Sequence, residues 1–294
     1  MKIDETLVSI CLPVRNGGEM IEEVVWSVLA QDHERIELVI SDNASTDHTE
    51  EICRALAKRD SRIVYHRHPE NVGLLNNFIG AMKLAQGTYF RWIGDDDWLA
   101  PSCVSRGLEA FAQDERRVLV TTRVAYTGPD GVTITDDTYD GERLASPDPL
   151  VRFAEIMRLL NESATLVDPL YGLLRREPVA AIPRRNMVKE DEVFATKLAL
   201  AGPWGHVPEV LAHRNTRSER LGDIVRRLGV PTWHAHLAGT LQCREILRWL
   251  PNAGLTPEQH HQARAAVGRM YLRRQRRTYA RRTRKLARMT GLLR

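Results

Sequence analysis

The sequence predicts an α/β fold in which a mainly parallel sheet is covered by helices on both faces. Two observations favour this class: apolar runs typical of buried strands alternate with helical stripes over residues 1–110, and a polar loop follows each run. The chain has 294 residues, of which 43% are hydrophobic, and this is enough for one large core or two modest ones. We therefore expect one main domain with a C-terminal extension.

The first strand-helix unit occupies residues 7–29. The apolar run 7–12 predicts a buried strand that ends at Pro13, and the Asn-Gly-Gly sequence at 16–18 predicts a turn. A helix is expected next, because apolar residues recur with the spacing of one helical face. These residues are Ile21, Val24, Val25, Val28 and Leu29.

The alternation continues through three further strands. Residues 37–40 and 63–66 predict the second and third strands, and each is followed by a polar loop and a helical stripe. The fourth strand begins at Tyr89 and runs into an acidic triplet. Because parallel strands end at one edge of a sheet, their loops should converge on one rim, where such folds bind ligands. The rim loops contain residues 13–16, 41–47, 71–73 and 94–97.

Beyond residue 110 the alternation loosens. A strand is predicted at residues 118–124, a hairpin turn at 128–131 and a mobile loop at 136–149. Helices are predicted at residues 150–160 and 190–200.

The acidic triplet Asp95, Asp96 and Asp97 points to a cation. Like charges a few ångströms apart destabilise one another, and a hard divalent cation with oxygen ligands relieves that repulsion. Mg²⁺ and Mn²⁺ fit, and both commonly carry substrate phosphates. The alternative is a solvated acidic turn or a helix start, since anions stabilise helix N-termini. If the rim binds a nucleoside diphosphate, Pro13 offers the base an apolar shelf and Asp42 accepts hydrogen bonds from the base or ribose.

The formal net charge of +4 is unevenly distributed. Residues 269–294 hold eleven basic side chains and no acidic one, which leaves the first 268 residues at −7.

The four cysteines have no paired metal-ligand spacing, so they indicate reduced thiols and make a zinc site an unfavoured interpretation. No apolar stretch approaches 18 residues and no secretion pattern opens the chain, so we expect a cytoplasmic protein.

The basic C-terminus follows an amphipathic start at Ala263, Val267, Met270 and Tyr271. A basic segment of this kind binds anionic membrane surfaces or nucleic acid. Nucleic acid ranks lower, because the body is net acidic and no nucleic-acid motif accompanies the tail. We expect peripheral binding to the inner face of the cell membrane through residues 269–294, with a solvated terminus as the alternative.

An ordered set of short motifs over residues 7–110 resembles family-two glycosyltransferases with the GT-A fold. The set comprises Pro13–Asn16, Ser27–Gln31, Glu37–Asp47, Asn71–Gly73, and Gly87–Tyr89 leading to Asp95–Trp98. The resemblance implies inverting transfer of a sugar from a nucleotide-diphosphate donor, with UDP-hexose as the expected donor and Mg²⁺ or Mn²⁺ on the acidic motif. The family's Asp-x-Asp-Asp pattern is broken at Gly94, which leaves Asp96 or Asp97 as the metal ligand.

The resemblance also implies roles for individual residues. Inverting transfer needs a base for the acceptor hydroxyl, and Asp191 after Glu190 resembles the family's general base. The alternative is that these acids only complement a helix dipole. His213 and Arg214 resemble a basic segment that contacts the diphosphate. The residues implied for the nucleotide sugar are Pro13, Val14, Arg15, Asn16, Asp42, Asn71, Gly73, Asp95 and Asp96.

The acceptor side is harder to derive from sequence. Candidate contacts are Trp98, Tyr171, Glu190 and Trp204, three of them aromatic rings that can pack against the C–H faces of sugars, with burial in the core as the alternative. Carbohydrate, lipid-linked and small-molecule acceptors stay open, in cell-surface polysaccharide or glycolipid synthesis. We expect a glycosyltransferase domain at residues 1–225, with a nucleotide-sugar half (1–110) and an acceptor half (111–225), and a basic helical extension at 226–294.

Three other functions compete. An NAD-dependent oxidoreductase needs a glycine-rich phosphate loop after the first strand, and residues 13–18 do not match it. A nucleotidyltransferase needs a basic, glycine-rich triphosphate loop, which is also missing near Arg15. A noncatalytic membrane- or partner-binding protein with the same fold would not need the triplet, whereas a transferase predicts that Asp97→Ala abolishes turnover and leaves folding intact.

Overall fold

The computed structural model describes residues 3–18, 20–135, 139–162, 169–216 and 220–289, with the backbone alone at 162 and 277–289. The strands in these ranges are β1 (Val8–Val14), β2 (Ile36–Asp42), β3 (Ile63–Arg67), β4 (Tyr89–Trp92), β5 (Trp98–Leu99), β6 (Leu119–Thr127), β7 (Thr133–Ile134), β8 (Leu173–Arg175) and β9 (Trp204–Asn215). The helices are α1 (Met20–Leu29), α2 (Thr49–Arg59), α3 (Leu74–Leu84), α4 (Cys103–Ala112), α5 (Pro149–Glu162), α6 (Arg176–Ala180), α7 (Glu190–Ala201), α8 (Leu221–Leu228), α9 (His234–Trp249) and α10 (Pro257–Met289).

The first half of the sheet is parallel, as the alternation predicts. β1 lies between β2 and β4, and β3 flanks β2. The prediction that the first strand ends at Pro13 is wrong, because β1 continues to Val14. Pro13 lies beyond the last pair between β1 and β4, which joins Cys11 to Trp92, so its missing N–H breaks no ladder bond on that side.

The second half of the sheet is mixed rather than parallel. β8 is inserted antiparallel to both β4 and β6, while β6 pairs parallel to β9. The short strand β5, which follows the acidic triplet, returns antiparallel to the end of β9. This pairing sets Trp98 opposite His213 and so brings the triplet next to Arg214.

Helices cover both faces of the sheet, which confirms the predicted class. Successive side chains of a strand point to opposite faces, so Ile10 and Leu12 enter one core while Cys11 enters the other. The first core is closed by α1, α2 and α4, and the second by α3, α5, α7, α9 and α10. Each fully buried Val, Leu or Ile side chain contributes about 1.5–3 kcal/mol, so both faces stabilise the strands that carry the rim loops.

The C-terminal helices are part of the second core. Ile246 and Leu250 from the α9 region and Val267 and Met270 from α10 are almost completely buried there. The predicted domain boundary after residue 225 falls inside α8, so a division at that point would cut a helix; the two-part division itself stays a prediction. Among the helices of the ranges given above, none is long and apolar enough to cross a membrane.

The loop predicted to be mobile at residues 136–149 is packed where the structure describes it. Residues 136–138 lie outside the described ranges, but Tyr139 and Leu144 are buried in the second core. These two apolar side chains anchor the otherwise polar segment. All four cysteines are buried free thiols.

Candidate active site

A cavity of about 440 Å³ opens at the carboxyl ends of β1, β2 and β4; we call it the rim cavity. Five of the nine residues predicted for the nucleotide sugar line it, from three different rim loops. These five are Pro13, Arg15, Asn71, Asp95 and Asp96. The remaining four, Val14, Asn16, Asp42 and Gly73, are not among its lining residues.

Asp42 is completely buried and serves its own loop. Its Oδ1 atom accepts hydrogen bonds from the Ser45 backbone N–H at 2.8 Å and the Ser45 hydroxyl at 2.6 Å. Its Oδ2 atom accepts the Tyr65 hydroxyl at 2.7 Å, and Arg67 Nε lies 3.7 Å away. Burial and the hydrogen bond to Asp42 raise the pKa of Tyr65, so the phenol remains a donor at neutral pH. The Asp42 oxygens thus bind residues of the rim loops and β3 in this conformation, and the contact of Asp42 with base or ribose stays a prediction.

The other non-lining residues shape the rim loops. Asn16 adopts a left-handed backbone with φ of 56°, and its Oδ1 atom accepts the Thr46 N–H at 2.9 Å. Gly73 has φ of 86°, a region that glycine enters without steric cost, and its N–H donates to Asn71 Oδ1 at 3.0 Å. Val14 is buried in the first core. These contacts hold the loops together around the cavity.

The segment that follows the acidic triplet is held by Ser27 of α1 and by Gln31, which comes just after α1. Gln31 Nε2 donates to the carbonyl of Ala100 at 2.9 Å, and Gln31 Oε1 accepts the Val104 N–H at 3.1 Å. The Ser27 hydroxyl accepts the Leu99 N–H at 3.4 Å. The Ser27–Gln31 motif thus fastens the segment that follows the triplet.

The three acids of the triplet have different surroundings. Asp95 and Asp96 line the rim cavity, whereas the Asp97 side chain is only 4% exposed. Asp97 Oδ2 accepts the Gly94 N–H at 2.9 Å and an Arg214 Nε–H at 3.1 Å. Burial raises the pKa of Asp97, although the Arg214 guanidinium and the Gly94 N–H oppose that rise. Because its oxygens face these donors, the structure argues against Asp97 as a metal ligand.

Gly94 is required by this packing. A Cβ atom at position 94 would lie 2.8 Å from Asp97 Oδ2, so any larger residue would push the Asp97 carboxylate off its partners. The glycine that breaks the Asp-x-Asp-Asp pattern therefore leaves room for the ion pair between Asp97 and Arg214. In the described part of the chain, no group of three or more His, Cys, Asp or Glu residues is arranged to hold a metal by itself.

A second cavity of about 440 Å³ adjoins the first; we call it the α7 cavity. Glu190 and Asp191 at the start of α7 line it, and α8 closes one side with Leu221 and Ile224. Asp191 Oδ1 accepts the Glu192 N–H at 2.9 Å. The two cavities share five lining residues, namely Leu74, Phe78, Tyr171, Arg214 and Arg227.

Arg214 and Tyr171 form the centre of the shared wall. The guanidinium carbon of Arg214 lies 3.4 Å from the centroid of the Tyr171 ring, and the arginine is held from the other side by Asp97. His213, predicted with Arg214 for the diphosphate, lines neither cavity and hydrogen-bonds Thr127. Neighbours in a strand point to opposite faces, so only one of the pair reaches the wall.

Of the four candidate acceptor contacts, two line a cavity and two do not. Tyr171 and Glu190 line the α7 cavity, whereas Trp98 is 46% exposed but lines neither cavity. Trp204 is 1% exposed in the second core, at the end of β9 opposite to Arg214, so the prediction that it contacts an acceptor is wrong.

Sequence reasoning missed several lining residues. Asn43 lines the rim cavity and ties two loops, since its Nδ2 donates to Asn71 Oδ1 at 2.8 Å and its Oδ1 accepts the Val72 N–H at 2.8 Å. Its place next to Asp42 in a polar rim loop was an available signal. Phe78 and Arg227 come from helical stripes that carried no such signal.

The chain has the fold of GT-A glycosyltransferases. Staphylococcus aureus TarS 1–349 in complex with UDP-GlcNAc matches it with a TM-score of 0.63 over 90% of this chain and 72% of that chain, at 16% sequence identity. The mannosyltransferase PcManGT from Pyrobaculum calidifontis, in complex with GDP-Man and Mn²⁺, matches with a TM-score of 0.54 over 91% of this chain and 85% of that chain, at 15% identity.

Residues 9–182 match the profile of glycosyl transferase family 2, and the chain belongs to that family. The abequosyltransferase RfbV of Salmonella typhimurium is 40% identical over 97 residues, 32% of this chain and 29% of RfbV. The putative teichuronic acid biosynthesis glycosyltransferase TuaG of Bacillus subtilis is 31% identical over 194 residues, 66% of this chain and 71% of TuaG. The chain thus spans less than a third of RfbV and about seven tenths of TuaG.

Proposed function

We propose that this protein is an inverting glycosyltransferase that moves a sugar from a nucleoside-diphosphate donor to an acceptor hydroxyl. The observation that carries this proposal is the common wall of Tyr171 and Arg214, which separates an acid-lined rim cavity from the cavity that contains Asp191. A donor in the first cavity and an acceptor in the second would meet at that wall. Family membership favours this function over a nucleotidyltransferase or a noncatalytic binding protein.

The rim cavity suits a nucleoside diphosphate. Pro13 and Asn43 offer an apolar surface and an amide to a base, and Arg15 and Arg214 offer positive charge to phosphates. We assign this role mainly to residues 1–110, joined by Arg214, and expect a UDP-hexose donor, which the solved complexes of TarS with UDP and UDP-GlcNAc support. PcManGT, solved with GDP-Man, makes GDP the nucleotide to test against it.

The acids of the rim cavity fit a divalent cation that arrives with the donor. Mg²⁺ is commonly bound by one or two carboxylates together with substrate phosphates, and Asp95 and Asp96 are two such carboxylates. We therefore assign Mn²⁺ or Mg²⁺ to Asp96 with Asp95. When bound, the ion would neutralise negative charge on the diphosphate.

Transfer then needs a proton acceptor on the acceptor side, and we assign that role to Asp191. The acceptor oxygen forms a bond to the anomeric carbon from the face opposite the nucleotide, and its proton passes to Asp191. The bond between the anomeric carbon and the phosphate oxygen breaks, and its electron pair stays on the diphosphate. Arg214, already oriented by Asp97 and Tyr171, places a positive charge near the leaving group.

We assign the acceptor to the α7 cavity, most of whose lining residues lie within residues 111–225. Its wall combines leucine and isoleucine side chains of α8 with Glu190 and Tyr171, which suits a saccharide with an apolar face or a lipid-linked one. The names of RfbV and TuaG support a role in cell-surface polysaccharide synthesis. We further propose that residues 269–294 place the enzyme at an anionic membrane surface, as a peripheral protein on the cytoplasmic side.

The nucleotide is tested first, by thermal unfolding with UDP, dTDP or GDP, each with and without Mn²⁺. A ligand at about 100 times its Kd stabilises the native state by roughly 2.7 kcal/mol, which is a measurable shift of the melting temperature. We expect a shift with UDP that grows when Mn²⁺ is present. Asp96→Asn should lose the Mn²⁺-dependent part of the shift in melting temperature. Asp130→Asn, at an exposed turn that lines neither cavity, is the matched control.

Transfer itself is tested by release of nucleoside diphosphate from the nucleotide sugar whose nucleotide produced the shift. Asp191→Asn should abolish release and retain nucleotide binding. Binding of no nucleotide, with or without Mn²⁺, would contradict the proposed donor site. Full activity of Asp191→Asn would contradict the assigned base.

A further inference from the structure

The turn that presents Asp191 is held in an unusual conformation. Lys189, two residues earlier, has φ of 66°, a left-handed backbone that costs free energy for any residue with a side chain. Such a conformation persists only when surrounding contacts impose it. The contacts that hold this turn therefore decide where the Asp191 carboxylate stands.

Both neighbours of Asp191 are anchored by arginine. Glu190 forms a two-pronged ion pair with Arg184, with Nε–Oε1 at 2.7 Å and Nη2–Oε2 at 2.5 Å. Glu192 pairs with the Lys189 amine and with Arg274, whose Nη2 atom lies 2.7 Å from Glu192 Oε2. The anchor on the second side thus comes from α10, 82 residues away along the chain.

Arg274 is itself fixed by two further elements. Its guanidinium donates to the Leu160 carbonyl at 2.5 Å and to Asn161 Oδ1 at 3.2 Å, both on α5. It also donates to Gln242 Oε1 on α9, and Gln242 Nε2 donates to Glu192 Oε2 at 2.9 Å. Arg274, Gln242 and Glu192 therefore form a closed triangle of charge-assisted hydrogen bonds beside the turn.

The triangle is shielded from solvent. The Arg274 and Glu192 side chains are 18% and 17% exposed, and Gln242 is fully buried. Burial disfavours the ionised form of Glu192, yet Lys189 and Arg274 hold its pKa below the usual value, so it stays charged at neutral pH. An ion pair with so little water around it is stronger than an exposed one, so it holds its two side chains in place more firmly.

We propose that Arg274 is a positioning residue that sets the Asp191 carboxylate through Glu192, and so makes the C-terminal helix a part of the catalytic apparatus. The proposal rests on the assignment of Asp191 as the base. It goes beyond that assignment because Arg274 lines neither cavity and lies 92 residues after the end of the family match.

The test measures hydrolysis of the nucleotide sugar, in which water replaces the acceptor and needs the same base. Arg274→Gln should lower kcat by about 10- to 100-fold, the effect of moving a catalytic group by about an ångström. The Kd of the nucleotide should not change, because Arg274 does not line the rim cavity. Arg264→Gln, an equal loss of charge at an exposed position of the same helix, should leave kcat unchanged.

Two further variants separate positioning from a general loss of structure. Arg274→Lys keeps the charge but not the planar fork, so kcat should recover in part. The double variant Glu192→Gln/Arg274→Gln should be no slower than the slower single variant, because residues that act through one contact are not additive. All rates are compared well below the melting temperature of each variant.

The outcomes distinguish this proposal from the proposed function. If Asp191→Asn is inactive while Arg274→Gln has the kcat of the unchanged protein, the positioning role is wrong and the base assignment stands. If Asp191→Asn keeps full activity, the base assignment fails first. The positioning role would also be overturned if Arg274→Gln changed the nucleotide Kd by the same factor as kcat.

Discussion

At the scale of single residues, the ion pair between Asp97 and Arg214 organises the wall between the cavities. Gly94 leaves room for the Asp97 carboxylate, and Arg214 links it to the ring of Tyr171. Asp97 was predicted as a metal ligand, but its buried oxygens are occupied by the Gly94 N–H and the guanidinium. Asp96 instead lines the rim cavity, together with Asp95.

Asp96 and Asp97 should therefore respond differently to the same substitution. Asp96→Asn should change the free energy of unfolding by less than about 0.5 kcal/mol and abolish the Mn²⁺-dependent nucleotide shift. Asp97→Asn should cost about 1–3 kcal/mol, because it leaves the partly buried Arg214 without its counter-charge. Urea unfolding of the two variants and the unchanged protein measures both effects.

This expectation replaces the idea that Asp97→Ala would leave folding intact. Equal stability of Asp97→Asn and the unchanged protein would argue that the ion pair contributes nothing to folding. Loss of the Mn²⁺ effect in Asp97→Asn alone would return the metal to Asp97.

At the scale of elements, α7 carries Asp191 at its first turn and is held at its other end by α5. Arg152, 4% exposed, donates from Nε to the carbonyl of Ala199 at 2.6 Å and from Nη2 to that of Leu200 at 3.4 Å. Its Nη1 atom donates to the carbonyls of Ser146 and Pro147 at 2.7 and 3.0 Å. The last four carbonyls of a helix have no partner within it, and one buried arginine binds two of them here.

Loss of Arg152 should therefore be costly. Arg152→Met keeps most of the volume but leaves several buried carbonyls without donors, and we expect a loss of about 2–4 kcal/mol in the free energy of unfolding. Arg54→Met on α2 removes an exposed pair with Glu50 and should cost far less. Denaturant unfolding with both variants is the measurement, and similar costs for the two would refute the capping role.

At the scale of the whole molecule, α10 changes character along its length. Its first part buries Ala263, Val267 and Met270 in the second core, and Arg274 is its last described contact with the active-site helices. Residues 277–294 add seven basic side chains and no acidic one. The first stretch of this C-terminal segment thus packs on the core, and the sequence places most of its basic residues in the stretch that follows.

Removal of residues 277–294 should separate these roles. The melting temperature should change by no more than a few degrees, because the contacts of Ala263, Val267 and Met270 with the second core are kept. Binding to vesicles with about a third anionic lipid should weaken strongly, since each basic residue near such a surface is worth about 1 kcal/mol. Co-sedimentation at low and high salt checks this, with neutral vesicles as control; undiminished binding of the shortened chain would place the membrane contact elsewhere.

Much of the first half could be predicted from the sequence because its signals are local. The apolar run before Pro13, the stripe from Ile21 to Leu29 and the polar loop after Ile40 each lie within a few residues, and the order of such units fixes a parallel sheet. The family resemblance rests on the same segments. The helix beginning at Glu190 could be predicted for the same reason, from its acidic first turn.

The rest depends on contacts between distant residues. Asp97 and Arg214 are 117 positions apart, and their pairing follows from the antiparallel return of β5 along β9. Trp204 and Tyr171 are both aromatic residues beside apolar runs, and only the fold buries one in the core and sets the other on the cavity wall. Nor does the sequence reveal that Ser45 and Tyr65 donate hydrogen bonds to the Asp42 carboxylate.

The sequence by itself determined the α/β class, the family and the set of loops that meet at the rim, because periodicity and turn residues act over short distances. Only the tertiary structure decided which acids face a cavity, which arginine stands on the wall, and that Arg274 of the C-terminal helix reaches Glu192 beside Asp191. The physical reason is that burial and ion pairing depend on what lies next to a side chain in space.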